Sequence, residues 1–367
     1  MLYVIQQEDY SGAEILNLAV MTADPDALLA CPPGSRVEEW AHSNGIVTTP
    51  LPFRSIRHSA GSLEALRSVA RGLLGALELR RILKREPARR IVYGTSIRPS
   101  MLAAVAATGL GRRVVWVVTD FPPPRPVSLL TRTAALVGCA RALPLSHAIA
   151  DRFIAGSRRL GARTEVIHPG VDPGRFAPAR DPGKPVAGLL GHISPTKRTA
   201  LAVDIAERVI RAAPEFELRV VGRAQYRDED RRLEAELRAR VVRTPALRER
   251  VHFDGYVTDV RDVLSELGLL LHTRPDEPFG MALIEAMAAG LPVVAPAAAG
   301  PLEIVVHGKT GFLFDPGDAD EAAAHVLSLV RDPELARRMG ATGCERVADR
   351  FTIAGQVAGV ERVLAGL

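Results

Sequence analysis

Short apolar runs alternate with longer amphipathic stretches along almost the whole chain, which predicts parallel sheets built from strand–helix–strand units. The predicted strands are Leu2–Gln6, Arg90–Tyr93, Val114–Val118, Ala142–Leu145, Thr164–Ile167, Val186–Leu190, Leu218–Val221, Val251–Phe253, Leu269–His272, Val293–Ala295 and Gly311–Phe314. The clearest helical patterns are Leu63–Arg85, Ala200–Ala213 and a final helix over Ile353–Leu367.

The chain is too long for a single hydrophobic core. It has 367 residues, whereas single cores usually stop growing at about 250–300 residues. The stretch Phe176–Pro185 is rich in proline, glycine and charge and lacks an apolar period, which is typical of a linker. We therefore predict a first domain over 1–176 and a second over 177–350, and expect the C-terminal helix at about 351–367 to pack back on the first domain.

The order of the predicted elements indicates two facing Rossmann-like, doubly wound α/β domains. Ligands of such sheets bind beyond the carboxyl ends of the strands. In the second half of the chain these ends carry Gly191-His192, Gly222-Arg223, Gly255-Tyr256 and Thr273–Glu277. Glycine at such positions lets a ligand approach the backbone closely. The pattern thus predicts a ligand cleft between the domains.

Composition excludes several classes of function. The 47 Lys and Arg exceed the 42 Asp and Glu by five, and only Lys84, Lys184, Lys197 and Lys309 are lysines. Nucleic-acid binding needs clustered bases with stacking aromatics, but aromatic residues make up only 5% of the chain. We therefore expect no nucleic-acid partner.

Cysteine usage and the N-terminus indicate a cytoplasmic protein. The three cysteines are widely separated, so neither a disulfide framework nor a cysteine zinc site is predicted. Residues Met1–Asp9 contain neither a basic nor an apolar segment, so we expect no signal peptide. Prolines and glycines divide the apolar stretch 278–302 into pieces too short to span a bilayer.

The segment 276–292 carries the clearest chemical signal. A helix predicted from about Gly280 to Ala289 leaves backbone N–H groups free at its start, at Phe279, Gly280 and Met281, and such a terminus can bind phosphate. Glu285 lies among apolar residues inside this helix and therefore needs hydrogen-bond donors, from a sugar's hydroxyls, from the backbone or from an arginine.

Glu277 precedes the same helix and, taken alone, is equally consistent with a solvated or helix-capping acid. The two glutamates together resemble the signature of family 4 glycosyltransferases. Glu277 is followed by Pro-Phe-Gly, and Glu285 by Ala-Met-Ala-Ala-Gly-Leu-Pro-Val-Val. Ala299–Glu303 and His307–Leu313 resemble that family's Gly-x-Pro-Glu and Gly-x-x-Gly segments. The resemblance implies the GT-B fold and a retaining enzyme that uses nucleotide sugars.

Other segments match the family in the same order along the chain. Ser11–Glu14, which contains Gly12, resembles its glycine-rich turn that contacts donor phosphate. Ser146–Asp151 and Ile167–Asp172 resemble its structural landmarks. Gly191–Lys197 resembles the Gly-Arg-x-x-x-x-Lys element that holds the pyrophosphate.

The resemblance implies a role for individual residues. Glu277, Lys197 and Asp120 are the expected catalytic residues; Glu277 would hold the donor sugar, and Lys197 would neutralise the leaving diphosphate. Glu285 would hold the ribose. The expected donor-binding residues are Gly12, His192, Lys197, Gly222, Arg223, Val257, Phe279, Gly280, Met281 and Glu285. The nine histidines show no metal spacing, so we expect neither a metal nor a cofactor besides the nucleotide-sugar co-substrate.

Two positions depart from the family pattern. His192 stands where the family has an arginine on the pyrophosphate, and Arg198 or Arg223 could replace that donor. Thr119 precedes Asp120 where the family often has a histidine that touches the donor sugar. These departures favour one alternative to a transferase, a catalytically silent GT-B protein that binds a nucleotide sugar or assists a partner. A nucleotide-sugar epimerase of the same fold is a second alternative, within the enzyme class.

The sequence therefore predicts a metal-independent retaining glycosyltransferase. It would move a sugar from a nucleoside-diphosphate sugar, with UDP favoured, to a hydroxyl of a small-molecule, natural-product or glycolipid acceptor. A glycosidase is disfavoured because a phosphate-type helix N-terminus has no part in hydrolysing a simple glycoside. The helix Leu63–Arg85 places Leu66, Ala70, Leu73 and Leu77 on one face among arginines; a covering helix is favoured over peripheral membrane contact.

Overall fold

The structure is a computed structural model that describes residues 1–7, 12–52, 62–125, 127–176, 178, 181–225 and 227–367, without the side chains of 12–16 and 62–70. It divides into two compact units. The first unit comprises Met1–Pro169 and Ala354–Leu367, and the second comprises Gly170–Ile353.

The first unit is built on a six-stranded parallel sheet. Its strands are β1 (Leu2–Val4), β2 (Leu28–Cys31), β3 (Val47–Pro50), β4 (Ile91–Gly94), β5 (Arg113–Val118) and β6 (Arg141–Pro144). Its helices before Pro169 are α1 (Gly12–Ala23), α2 (Arg36–Ser43), α3 (Ser62–Arg85), α4 (Ile97–Ala107), α5 (Val127–Gly138), α6 (His147–Ile154) and α7 (Arg158–Gly161). The strand order is β3-β2-β1-β4-β5-β6.

The second unit repeats this architecture with another six-stranded parallel sheet. Its strands are β7 (Val186–Leu190), β8 (Glu217–Val221), β9 (Val251–Gly255), β10 (Leu269–Leu271), β11 (Val293–Pro296) and β12 (Gly311–Phe314). Its helices are α8 (Thr199–Ala212), α9 (Asp228–Arg243), α10 (Pro245–Arg248), α11 (Val260–Ser265), α12 (Met281–Ala288), α13 (Pro301–Ile304), α14 (Ala319–Arg331) and α15 (Pro333–Arg350). The strand order is β12-β11-β10-β7-β8-β9.

The strands β7, β10 and β11 of the second sheet are apolar and buried on both faces. Every residue of β7, β10 and β11 is buried, as expected for a parallel sheet packed on two sides. Val203 of α8 and Val326 of α14 are completely buried in the same core. Complete burial of such a side chain stabilises a fold by about 1.5–3 kcal/mol. This core fixes the strand ends from which the polar loops emerge.

The observed strands match most of those predicted from the apolar runs, with ends that differ by at most two residues. The predicted strand over 164–167 is wrong. This segment runs beside β6, where the N–H of Glu165 donates to the carbonyl of Ala142, but it forms only an isolated bridge at Thr164. The sequence pattern missed β2, a short apolar run without alternation, and β3, an edge strand with a partly exposed polar surface.

The C-terminal helix α16 (Ile353–Ala365) packs within the first unit from residue 354 onward. Val360 and Val363 are buried, and Arg362 Nη2 lies 2.9 Å from Glu165 Oε1. These contacts anchor the end of the chain to the segment beside β6.

The units part between Pro169 and Gly170, earlier than the boundary at 176/177 that composition predicts. Backbone pairing explains the difference. The N–H of Val171 donates to the carbonyl of Phe351 at 2.8 Å, and the N–H of Ile353 donates to the carbonyl of Val171 at 3.1 Å. Residues after Gly170 are therefore tied to the second unit before the proline-rich stretch begins.

The part of the predicted apolar face of helix α3 whose side chains the structure describes is exposed. Leu73 and Leu77 are 57% and 53% exposed, whereas Leu79 is completely buried. The side chains of Leu66 and Ala70, also assigned to that face, lie outside the described residues. Within the described ranges, the structure contains no helix with both the length and the apolarity needed to cross a membrane.

Candidate active site

The candidate site of the second unit lies where the strand order of its sheet reverses. Strands β7 and β10 are neighbours, although β8 and β9 come between them in the chain. Open parallel sheets bind ligands beyond the carboxyl ends of the strands at such a reversal. The loop after β7 carries Gly191–Lys197, and the loop after β10 carries His272–Glu277. The topology thus brings two motifs together that are far apart in sequence.

Lys197 and Glu277 form an ion pair at this reversal. Lys197 Nζ donates to Glu277 Oε2 at 2.7 Å, and the two side chains are only 20% and 12% exposed. Burial acts to raise the pKa of Glu277, but the charges of Lys197 and Arg274 and the hydrogen bond from Lys197 outweigh it and lower that pKa. Glu277 is therefore ionised at neutral pH.

Hydrogen bonds hold the backbone around Lys197 in place. The N–H of Lys197 donates to Ser194 Oγ at 3.1 Å, and Thr273 Oγ1 donates to the carbonyl of Lys197 at 2.8 Å. Ser194 and Thr273 are both buried. Because Thr273 follows β10, this bond ties the lysine loop directly to the loop that carries Glu277. Such support preorganises a charged pair for ligand binding.

The loop between Glu277 and α12 is fixed by a close approach of Gly300. The N–H of Gly300 donates to the carbonyl of Glu277 at 3.0 Å, and a Cβ at position 300 would lie 2.0 Å from the carbonyl oxygen of Phe279. Only glycine fits there. The buried ring of Phe279 also packs edge-to-face against Phe351 at 5.8 Å.

Helix α12 begins as the sequence predicts, just after Gly280. The N-cap residue, Gly280, has no side chain that could cap the first turn. The three predicted phosphate-binding amides, those of Phe279, Gly280 and Met281, therefore lie at the first turn of an eight-residue helix. The partial positive charge of such a terminus favours an anion.

Glu285 is a half-buried carboxyl group on α12. Among the described residues, none donates a hydrogen bond to it, so the backbone or arginine partners considered from the sequence are not found. Burial raises the pKa of Glu285 to about 7, and the negative charge of Asp259 adds to this shift. Asp259, which caps α11 two residues after Val257, therefore lies close enough to Glu285 for its charge to act on it. An acceptor without a donor can bind ligand hydroxyls.

Gly222 allows the ends of β7 and β8 to meet. It has a φ of 142°, and a Cβ there would lie 2.0 Å from the carbonyl oxygen of Gly191. The neighbouring His192 is half-buried; burial and the charge of Lys197 lower its pKa, so the ring is neutral at pH 7. Arg223 is exposed after β8, and its guanidinium lies 5.6 Å from the ring centre of Tyr256.

The other arginine considered as a replacement donor, Arg198, has a left-handed backbone conformation with a φ of 52°. Its Nη1 lies 3.3 Å from the position that a Cβ on Gly317 would occupy. Arg198 thus reaches toward the loop after β12. Arg223 is the arginine that extends from the same sheet edge as His192.

The remaining candidate residues belong to the first unit. Asp120 is exposed after β5, and its Oδ1 accepts the N–H of Phe121 at 3.0 Å. Thr119, where the family often has histidine, is buried. Gly12 begins α1, while Ser11 and the side chain of Glu14 lie outside the described residues.

Sequence reasoning missed two residues beside the carboxylate of Glu277. His272 Nε2 lies 3.4 Å from Glu277 Oε2, and Arg274 Nη1 lies 3.9 Å from Glu277 Oε1. A histidine at the end of a buried strand cannot be distinguished from a core residue by its sequence context. Arg274 lies three residues before Glu277, but outside a helix that spacing predicts no contact.

Two Rossmann-like units with this charged pair in the second define a protein of the GT-B fold, and the predicted fold class is confirmed. Residues 172–346 match the family model described as glycosyl transferases group 1. The second unit of the chain therefore belongs to the group 1 glycosyl transferases, which confirms the resemblance identified from its motifs.

Similarity to individual relatives is partial. The N-acetyl-alpha-D-glucosaminyl L-malate synthase of Bacillus anthracis is 35% identical over 111 residues, which cover 30% of this chain and 29% of the relative. A lipopolysaccharide core biosynthesis mannosyltransferase of Rhizobium meliloti is 28% identical over 235 residues, which cover 59% of this chain and 66% of the relative. The chain spans less than two thirds of the length of either.

Solved structures share the whole fold. HepE of Anabaena, solved in complex with UDP and glucose, has a TM-score of 0.83 and 22% identity, with 100% of this chain and 99% of that chain covered. A glycosyltransferase of Rickettsia africae has a TM-score of 0.77 and 16% identity, with 99% and 96% covered. At these identities, the likeness establishes the fold.

Proposed function

We propose that this protein is a retaining glycosyltransferase that moves a sugar from a nucleoside-diphosphate sugar to a hydroxyl acceptor. The observation that carries the proposal is the ion pair of Lys197 and Glu277, 2.7 Å apart at the strand-order reversal of the second unit. A partly buried cation, paired with a carboxylate four residues before the first residue of α12, is suited to a diphosphate, and a fixed carboxylate is suited to sugar hydroxyls.

Lys197 would stabilise the leaving diphosphate. An ammonium group has three N–H donors, and Glu277 takes one of them in this structure. The others can bind phosphate oxygens. The amides of Phe279, Gly280 and Met281 would add partial positive charge at the same place. These groups neutralise the negative charge that develops as the bond to the sugar breaks.

Glu277 would bind the donor sugar without becoming a covalent nucleophile. Its Oε2 is held by Lys197, and the lowered pKa keeps the group ionised as a hydrogen-bond acceptor. In the reaction that we propose, the acceptor oxygen attacks the anomeric carbon from the face that the diphosphate leaves. The leaving phosphate oxygen takes the acceptor's proton, so the configuration is retained and no protein base is needed.

Glu285 would bind the ribose of the nucleotide. Its carboxyl group accepts no hydrogen bond from the described residues, and two vicinal hydroxyls would supply the missing donors. Val257, in the loop whose Asp259 acts on Glu285, would then lie near the base. Arg223 would assist at the phosphates in place of the arginine that His192 replaces.

The donor that we favour is a UDP-sugar. HepE, whose fold matches over the full chain, was solved with UDP and glucose. The Bacillus relative is named for an N-acetylglucosaminyl product and the Rhizobium relative for mannosyl transfer. The donor panel should therefore contain UDP-glucose, UDP-N-acetylglucosamine and GDP-mannose. The first unit, through the segments that follow β4 and β5, would bind a small-molecule, natural-product or glycolipid acceptor.

Release of nucleoside diphosphate from each donor tests the proposal. We expect slow release from one donor with retained anomeric configuration of the sugar, and stabilisation of the protein by that donor in a thermal-shift screen. A ligand at 100 times its Kd adds about 2.7 kcal/mol. A new nucleotide sugar without diphosphate release would indicate an epimerase, and affinity without turnover a silent binding protein. Either result would contradict transfer.

A further inference from the structure

His272 is a buried histidine for which the proposed chemistry has no role. It follows β10, and its side chain is only 6% exposed. Its Nε2 lies 3.4 Å from Glu277 Oε2 and is completely buried. Among the residues that the structure describes, no hydrogen-bond partner reaches this nitrogen. A buried polar atom without a partner is rare and costs stability, so its presence calls for a reason.

The ring is held in place by the chain around it. The N–H of His272 donates to the carbonyl of Val294 at 2.8 Å, which fixes its backbone in the sheet. The backbone of Arg274 lies near the imidazole and acts to raise the pKa of His272, but less strongly than burial lowers it. Burial lowers the pKa of His272 to about 4, so the ring is neutral at pH 7.

We propose that His272 is a positioning residue, which holds the carboxylate of Glu277 in the orientation that meets Lys197. This inference rests on the proposed function, because Glu277 is placed there as the group that binds the donor sugar. The terminal torsion of a glutamate has a broad range. The ring edge lies against Oε2, on which Lys197 Nζ also converges at 2.7 Å. A rigid neighbour at this oxygen limits rotation of the carboxylate.

The burial of Nε2 distinguishes positioning from catalysis. An atom without accessible surface cannot touch a substrate, so His272 acts through Glu277. A neutral ring also suits the role, because a cation at Nε2 would compete with Lys197 for the same carboxylate oxygen. Arg274, at 3.9 Å from Oε1, approaches the other carboxylate oxygen.

Two amide variants distinguish the contributions of the two ring nitrogens of His272. The amide of glutamine reaches the place of Nε2, whereas that of asparagine reaches only the place of Nδ1. We expect His272→Asn to lower kcat for the donor by on the order of 10- to 100-fold, the effect of a misplaced binding group. Its Kd for nucleoside diphosphate should stay unchanged, and His272→Gln should regain most of the lost turnover.

A double-mutant cycle tests whether the effect passes through Glu277. In a Glu277→Gln background, His272→Asn should reduce turnover by less than about twofold, because the group that it positions is already impaired. Independent, multiplicative losses would overturn the proposal. Equal activity of the asparagine and glutamine variants, both below wild type, would also overturn it and leave His272 as a core residue.

A spectroscopic measurement tests the positioning role of His272 independently of the proposed function. In 15N-histidine-labelled full-length protein, the His272 ring signals are those absent from the His272→Gln spectrum. We expect a neutral ring at pH 7 whose nitrogen shifts move in Glu277→Gln but not in Glu334→Gln, an exposed control on α15. A charged ring, or shifts unmoved by Glu277→Gln, would overturn positioning. Absence of turnover in wild type would instead contradict the transferase.

Discussion

Lys197 Nζ and Glu277 Oε2 lie 2.7 Å apart, although 80 residues separate them in the chain. They meet because β7 and β10 are adjacent in the sheet, so that the loops leaving their carboxyl ends share one edge. Removing one partner of a buried ion pair typically costs about 3–5 kcal/mol, because the other charge remains uncompensated. The pair therefore contributes to stability, and the proposed mechanism also gives it a role in donor binding.

Replacing Lys197 should reduce turnover far more than it affects the fold. We expect Lys197→Ala to lower turnover by on the order of 10²–10³, as for loss of one charge-stabilising donor. Steady-state release of nucleoside diphosphate measures this. Lys309→Ala, at an exposed lysine in the loop before β12, is the matched control and should behave as wild type. Turnover of Lys197→Ala within about threefold of wild type would remove Lys197 from the mechanism.

The stability of Lys197→Met should depend on pH. The pKa of Glu277 is lowered in the folded protein, so its ionised form stabilises the fold above the unfolded value of 4.5, and this contribution is lost as pH falls through the folded pKa. Without Lys197 that pKa rises. The deficit in melting temperature should therefore be largest near pH 7 and shrink toward pH 4. A deficit independent of pH would show that the pair does not hold the charge of Glu277.

The two glutamates should affect different ligands. Glu277→Gln should spare the affinity for nucleoside diphosphate and reduce donor turnover, because Glu277 is proposed to bind the sugar. Glu285→Gln should weaken nucleoside diphosphate and donor alike, because ribose is bound equally in ground and transition states. Calorimetry with UDP and GDP measures both. If both variants bind nucleoside diphosphate like wild type, Glu285 has only a structural role.

Nucleoside diphosphate should bind more weakly as pH falls below 7. The pKa of Glu285 is raised to about 7 in the free protein, and ribose hydroxyls favour the ionised carboxylate, so binding must release the proton at lower pH. Calorimetry from pH 8 to pH 6 should show this loss. In Glu285→Gln, the remaining pH dependence of binding should come only from the phosphate of the nucleotide, whose second pKa is about 6. An equal pH dependence in the variant would contradict this prediction.

Glu285→Gln should also stabilise the free protein at high pH. A carboxyl whose folded pKa is raised contributes stability below its unfolded value of 4.5 and loses it as pH rises through about 7. At pH 8 the melting temperature of the variant should therefore be higher than that of wild type. At pH 4.5 it should not be higher. Glu334→Gln, on an exposed face of α15, should show neither effect.

Activity should persist in EDTA. In the proposed mechanism, Lys197 and the first turn of α12 take the place of a cation at the diphosphate. Diphosphate release measured with and without chelator tests this. Complete loss of activity on chelation, restored by Mg²⁺ or Mn²⁺, would place the protein in a metal-dependent class of transferase.

The sequence by itself determined the fold class and the motifs of the second unit. Strands β7 and β12 have the predicted bounds. Each is a short apolar run next to glycine and proline residues, so the local sequence is sufficient to predict it. Helix α12 likewise begins and ends within a residue of its prediction. The glycines, the helix start and the two glutamates belong to one continuous segment, so their order alone indicates a phosphate-type site.

Only the tertiary structure decided which side chains meet. The proximity of His272 and Arg274 to Glu277 depends on loop conformation, which no periodicity encodes. The exposed Leu73 of α3 shows the same limit, because a helix with apolar residues around its circumference does not specify which face is buried. Strand order, which is set by long-range packing of βαβ units, places Lys197 beside Glu277. Tertiary packing also decides that no described residue donates a hydrogen bond to the carboxyl group of Glu285.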